Sequence, residues 1–402
     1  MNKNTVCNEA EGRHNSGRGQ AQFRQRAGTI QAQAGIFIDC KIIHAGYNVD
    51  CEITQNRYTV DCEITQNRYT VDCEITQNRY TVDCEITQNR YTADCYESQT
   101  RHKCRCRVNR NYKKMKYKTD ETIFHRVQVP LAGGTSFPLL TFAAWEELPG
   151  IRHCFSTREG GVSEGWLSSL NLRRGLYDPD ENVNENFRRI AGFFGVGPDR
   201  IVCAQQTHTS NVRIVTSADA GKGVTRERDY TDIDGLITDI PGIVLYTSHA
   251  DCVPIYFYDP VRRVIALAHS GWKGTAARIG EVTIRKMQEI YGCRPEDIYA
   301  AVGPSICADC YEVSEDVADA MRTCFSEDGH ETIPRILAKG KRSGHYQLDL
   351  WRACARILLE SGIILEHLTI SNVCTCENSD ELFSHRATGG KRGNQGAFLM
   401  LT

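Results

Sequence analysis

From Val49 onward apolar and polar positions alternate: Tyr58, Val60, Cys62 and Ile64 are separated by Thr59, Asp61 and Glu63, the period-two pattern of a strand. The segment VDCEITQNRYT begins at Val49, Val60, Val71 and Val82 in four identical copies, with Gln-Asn-Arg reading as the turn. A stack of short strands is the structural reading. Identity at every position, solvent-facing ones included, points instead to recent duplication, because packing constrains only the buried positions of a solenoid. The repeat also offers few large apolar residues to offset chain entropy, so weak order is expected over residues 49–95.

Residues 1–48 form a head rich in Gln, Gly, Arg and Ala, and residues 96–123 a basic linker containing RHKCRCRVNRNYKKMKYK, read as a solvated tether. From Phe124 the pattern becomes that of a packed domain, residues 124–402. Short β-rich runs occur at Leu139–Phe142, Val244–Tyr246, Val253–Tyr258 and Val264–Ala268. Between them lie helical stripes. Val183, Phe187, Ile190 and Phe194 share one face, opened by Asp180 as the expected cap and stopped by Gly195. Ala276, Ile279, Thr283, Met287 and Ile290 make a second stripe ending at Gly292; Leu350, Cys354, Ile357 and Leu358 make a third, between Asp349 and Gly362. This order of strands and helices predicts a mixed α+β domain with one core.

Composition narrows the function. Of 402 residues 41% are hydrophobic and 24% charged, which describes a globular chain. The apolar runs are too short to span a membrane. No apolar signal core follows Met1, so a cytoplasmic address is expected. With 48 Lys and Arg against 50 Asp and Glu the net charge is −2, which disfavours a dedicated nucleic-acid binder. The 19 cysteines lack a secretory context, so buried thiols and metal ligation are expected rather than disulfides.

Three segments combine metal-capable side chains with turn residues: Gln205-Gln206-Thr207-His208, His249-Ala250-Asp251-Cys252, and Ala268-His269-Ser270-Gly271-Trp272-Lys273-Gly274. The third joins a strand to a helix, where free amides and Lys273 form a plausible anion seat. Such turns are also common without a ligand. Cys252 and His269 end successive strands, so with His208 they make a possible three-ligand zinc set with an open fourth position. The bland reading is three structural side chains. Cys307 and Cys310 form CxxC and Cys374 and Cys376 CxC; this is not the usual zinc knuckle, and they are read as reduced thiols near turns.

The ordered motifs CFSTREGGVS (Cys154–Ser163), SLNL (Ser169–Leu172), QQTH (Gln205–His208), DGLIT (Asp234–Thr238), ADCVPI (Ala250–Ile255), AHSGWKGT (Ala268–Thr275), GPSICADCYEV (Gly303–Val313) and FSHRATGGKRG (Phe383–Gly393) resemble the YfiH, or laccase-domain, family of purine nucleoside phosphorylases. The resemblance runs from about Phe137 to the C-terminus and implies a layered α/β/β fold. It implies zinc on His208, Cys252 and His269, phosphorolysis of adenosine, inosine, guanosine and methylthioadenosine, and deamination of adenosine. Arg158, Lys273 and Arg386 are the expected anion contacts, and Asn171 either binds ribose or caps its loop. Purine nucleosides and phosphate are the expected partners. Two features depart from the family: Ala387 follows Arg386 where a second Arg is usual and the chain then reads Lys391-Arg392-Gly393-Asn394-Gln395, so that a basic anion contact expected near Asn394 is displaced or missing, and Cys307 and Asp309 stand where Gly and Cys are common.

Rival readings remain. Multicopper phenol oxidation needs several His-x-His pairs, and none of the 12 histidines is so spaced, although one copper ion suits the same two imidazoles and thiolate. A cysteine hydrolase would use Cys252 as nucleophile and His269 as base. A non-enzymatic binding module with a structural zinc is the third.

Overall fold

The computed structural model describes residues 115–402 apart from 132–133, 176 and 327–332, and over 1–114 only the backbone of short strands. The chain forms two compact units, Met1–Lys114 and Met115–Thr402. In the first, strands cover the repeats at Asn48–Ile53, Thr59–Ile64, Thr70–Ile75 and Thr81–Ile86, alternate copies pairing in parallel and in register. The order of the repeat turns and the basic stretch up to Lys114 lie outside the described residues.

The second unit has two six-stranded sheets. The first runs Phe124–Pro130, Ser136–Phe142, Ile151–Ser156, Gln395–Leu401, Val244–His249, Ile201–Cys203; the second runs Val212–Ile214, Gly235–Thr238, Val264–Ser270, Val253–Asp259, Tyr299–Val302, Leu368–Ile370. They pack face to face. Phe142, Phe155, Leu245 and Leu399 of one sheet meet Leu236, Tyr256, Tyr258, Ile265 and Leu267 of the other in a shared core. The outer face of the first sheet carries the helix Asp180–Phe194, through Val183, Phe187, Ile190 and Phe194. On the outer face of the second lie Ile279–Tyr291, Glu315–Cys324 and Leu350–Glu360. The architecture is therefore four-layered, α/β/β/α.

This layering explains the apolar runs. Both faces of Val253–Asp259 are buried: Ile255 and Phe257 face the helices, Tyr256 and Tyr258 the sheet core. A strand between two packed layers has no polar face to alternate.

Three local expectations are corrected. The first helix has Pro179 at its cap position, and Asp180 sits in the first turn, paired with Arg174 at 2.9 Å. The second stripe is two helices, Trp272–Ala276 and Ile279–Tyr291, broken at Arg278 with φ 52°, and Ile290 is exposed. Residues 115–123, assigned to the linker by sequence, belong to the second unit. Met115 is buried, Lys116 N donates to Asn378 Oδ1 at 2.7 Å, and Lys118 N donates to Asn372 O at 2.8 Å. Among the described residues no helix is long and apolar enough to cross a membrane.

Candidate metal centre and active-site cavity

The site forms where the chain leaves one sheet for the other. Val244–His249 ends in the first sheet, and Val253–Asp259 starts in the second. Only three residues make the crossing, and Asp251 takes φ 89° to do it, a conformation non-glycine residues adopt at a cost of roughly 1–3 kcal/mol. Its side chain anchors the turn: Asp251 Oδ1 accepts from Thr375 Oγ1 at 2.6 Å, and Oδ2 from Arg386 N at 2.7 Å. Cys252 follows at the start of the strand.

His269 is delivered by register. Pro254 lies opposite His269 on paired antiparallel strands, which brings the imidazole beside Cys252. His208 arrives on a loop, also with positive φ, 67°. One donor atom each from His208, Cys252 and His269 lies within 4.8 Å of the others, with Cys252 Sγ 3.9 Å from His208 Nε2. The structure thus brings the three predicted ligands together.

Sequence reasoning gave Asp234, within DGLIT, no role, yet its buried carboxylate holds the cluster. It accepts from the amides of Thr207, His208 and Thr209 at 3.1, 3.1 and 2.8 Å, and pairs with His269 Nδ1 at 2.8 Å. The His269 contact leaves Nε2 for a ligand, the usual arrangement of a metal-binding histidine. Burial would raise the Asp234 pKa, but the His269 and Thr209 hydrogen bonds hold it at about 2. Burial would also raise the Cys252 thiol; the charge of His269 and hydrogen bonds from both histidines bring it down to about 6. His269 moves the other way, to about 9, because the Cys252 sulfur and Asp234 outweigh burial. A thiolate beside two oriented imidazoles is a donor set that fits one tetrahedral ion with a free position.

Close approach requires Gly271. A Cβ there would meet His208 Cδ2 at 2.8 Å and Cys252 Sγ at 3.1 Å. Its φ of −77° is ordinary, so space rather than conformation demands glycine.

The cluster forms one wall of a cavity of about 310 Å³, within the range of small-molecule sites. Phe187, Tyr246 and Leu172 supply apolar surface; Arg173, Arg228 and Arg392 supply charge. Arg392 is depressed by burial and by the like charge of Arg173, and its Nε is buried and unpaired among the described residues. An anion would relieve both conditions.

The other predicted residues do not line this cavity. Arg158 Nε and Nη1 donate to Ser168 O and Ser379 O at 2.9 and 2.8 Å, with the guanidinium over Phe383. Arg386 donates to Cys310 O and Glu312 O at 3.0 and 3.2 Å. Lys273 is exposed and lies over the Trp272 ring. Asn171 is buried; its Oδ1 accepts from Arg173 N and Asn394 N, at 3.1 and 3.0 Å. It thereby ties together two segments that carry cavity arginines. Arg173 and Arg228 had no signal in sequence beyond their basic character, whereas Arg392 lies two residues before Asn394, near which a basic contact was expected to be displaced or missing.

A family described as multi-copper polyphenol oxidoreductase laccase matches residues 152–402. A Bacillus subtilis protein named purine nucleoside phosphorylase YlmD is 38% identical over 250 residues, spanning 61% of this chain and 86% of that protein. A purine nucleoside phosphorylase of Bacteroides thetaiotaomicron is 33% identical over 256 residues, 63% of this chain and 93% of that one. The crystal structure of YlmD from Geobacillus stearothermophilus superposes with a TM-score of 0.61 at 33% identity, covering 69% of this chain and 99% of the other. With the family pattern spanning more than half of its length, the chain belongs to the laccase-domain (YfiH) family.

Proposed function

We propose that the protein is a zinc-dependent purine nucleoside phosphorylase, acting on adenosine, inosine, guanosine and methylthioadenosine, with a second activity that deaminates adenosine. The observation that carries the reading is the meeting of His208, Cys252 and His269 on the wall of a cavity that Arg173, Arg228 and Arg392 also line. Two relatives named as purine nucleoside phosphorylases support it.

In phosphorolysis a phosphate oxygen bonds to the anomeric carbon of ribose, the glycosidic C–N bond breaks, and its electron pair leaves with the purine. Two guanidiniums that already repel one another, Arg173 and Arg392, hold and orient the phosphate dianion. Apolar contact with Phe187 and Tyr246 seats the base and excludes water. In this reading Arg158 and Arg386 position the loops through the carbonyls they bind, Asn171 positions Arg173 and Arg392, and Lys273 adds charge near the helix end. A bound zinc ion would supply Lewis acidity, and with it activation of a water at neutral pH for deamination.

The same geometry contains Cys252, His269 and Asp234 in the order a cysteine hydrolase uses. His208, as a third converging donor, favours the metal. Chelating and reloading the full chain with zinc separates the readings. Nucleoside turnover should vanish and return with zinc, Cys252 should resist iodoacetamide only while loaded, and Cys252→Ala should lose both metal and turnover. Undiminished turnover in that variant rejects the ligand assignment.

A further inference from the structure

We infer a second metal site, a four-thiolate structural zinc centre formed by Cys307, Cys310, Cys374 and Cys376, separate from the His208–Cys252–His269 cluster. The sulfurs of Cys307, Cys310 and Cys374 all lie within 4.8 Å of one another, and Cys376 follows two residues after Cys374 in the adjoining turn, from which it would supply the fourth. Tetrahedral zinc with bonds of about 2.3 Å sets its sulfurs roughly 3.8 Å apart, close to the spacing these three already have. None of the ten described cysteines is in a disulfide.

The backbone is arranged for thiolates. The Cys310 amide donates to Cys307 O at 3.1 Å, closing the turn that carries both sulfurs. Cys307 N also donates to Cys374 Sγ, at 3.3 Å. Such an N–H···S bond stabilises a bound sulfur anion. The turns are aligned by pairing of Ser305 with Cys374, where Thr375 N donates to Ser305 O at 3.0 Å. Lys118 supplies a compensating cation beside the excess negative charge, with Nζ 2.5 Å from Glu377 and 2.9 Å from Asp309.

The centre staples together two segments that both grip the crossover turn of the first site. Ile306 N donates to Asp251 O at 3.0 Å from one, and Thr375 Oγ1 and Arg386 N bind the Asp251 carboxylate from the other. The spacing of CxxC and CxC hid this in sequence, because the fourth sulfur comes from a turn rather than a second knuckle.

The test is zinc content of the full chain, purified without chelator under reductant and measured by plasma mass spectrometry. Relative to the parent, Cys307→Ser/Cys374→Ser should lose one zinc per chain, and Cys252→Ala should lose a different one, so that the triple variant loses both. In the parent, chelation should open Cys310 and Cys376 to iodoacetamide; this decides the matter alone if the double variant is insoluble. Unchanged zinc in the double variant overturns the inference, as do alkylation indifferent to chelation and a Cys307–Cys310 disulfide found by mass. Loss of the second zinc with the first retained leaves the phosphorylase reading untouched, which keeps the two failures distinguishable.

Discussion

Asp234 concentrates more of the site in one side chain than any ligand does, since its carboxylate orients His269 and holds three successive loop amides. Asp234→Asn keeps the shape but cannot accept from all of them. We expect zinc affinity to fall 10- to 100-fold, the usual effect of losing such an outer partner, as measured by competition with a chromogenic chelator. Arg392→Ala should raise the KM for phosphate about tenfold or more, in line with a lost charge-assisted hydrogen bond of about 1.5–3 kcal/mol, while leaving metal content intact. A third prediction concerns a histidine far from the metal. Burial holds His153 at about 4 despite the Glu146 carboxylate, and His153 Nε2 accepts from Phe142 N at 2.8 Å, so it is neutral when folded. The unfolded chain takes up the proton near pH 6.5, and the folded chain only near 4. Stability from this group is complete above pH 6.5 and is lost as pH falls toward 4, by at most about 3 kcal/mol. Urea midpoints over that range should flatten in His153→Gln. At this scale the convergence of His208, Cys252 and His269 was legible because chemistry restricts which side chains bind metals. Asp234, Arg173 and Arg228 were not, because an acid or arginine acquires its role only from what tertiary approach sets beside it, and Arg392 was visible only as a basic residue close to where one was expected.

Elements carry the spacing of the site. The strand Val264–Ser270 and the helix beginning at Trp272 meet at Gly271, against which His208 and Cys252 pack. Gly271→Ala should keep the fold, since its backbone is ordinary, and weaken zinc binding by forcing His208 away; thermal melting and metal titration read the two effects separately. The helices were largely legible from their stripes, as Val183, Phe187, Ile190 and Phe194 all reach the core. What failed was local: Arg278 breaks the second stripe with a left-handed residue that periodicity alone cannot register. Strand runs such as Val253–Asp259 were visible as apolar blocks, but a block buried on both faces does not say which neighbour it pairs with.

Across the whole unit, two sheets with helices outside leave the crossover at residues 250–252 as the point where distant segments converge, and the cavity opens there. Sequence alone supplied the fold class through ordered motifs, whereas the two-sheet stacking follows from long-range pairings such as Gln395–Leu401 against Val244–His249. The central claim is that this cavity transfers the ribose of a purine nucleoside to phosphate and releases the purine base. Incubating the zinc-loaded full chain with inosine and resolving products by chromatography tests it most directly. Hypoxanthine and ribose 1-phosphate should appear in equal amounts only when phosphate is present; inosine that survives unchanged with zinc and phosphate both supplied would contradict it.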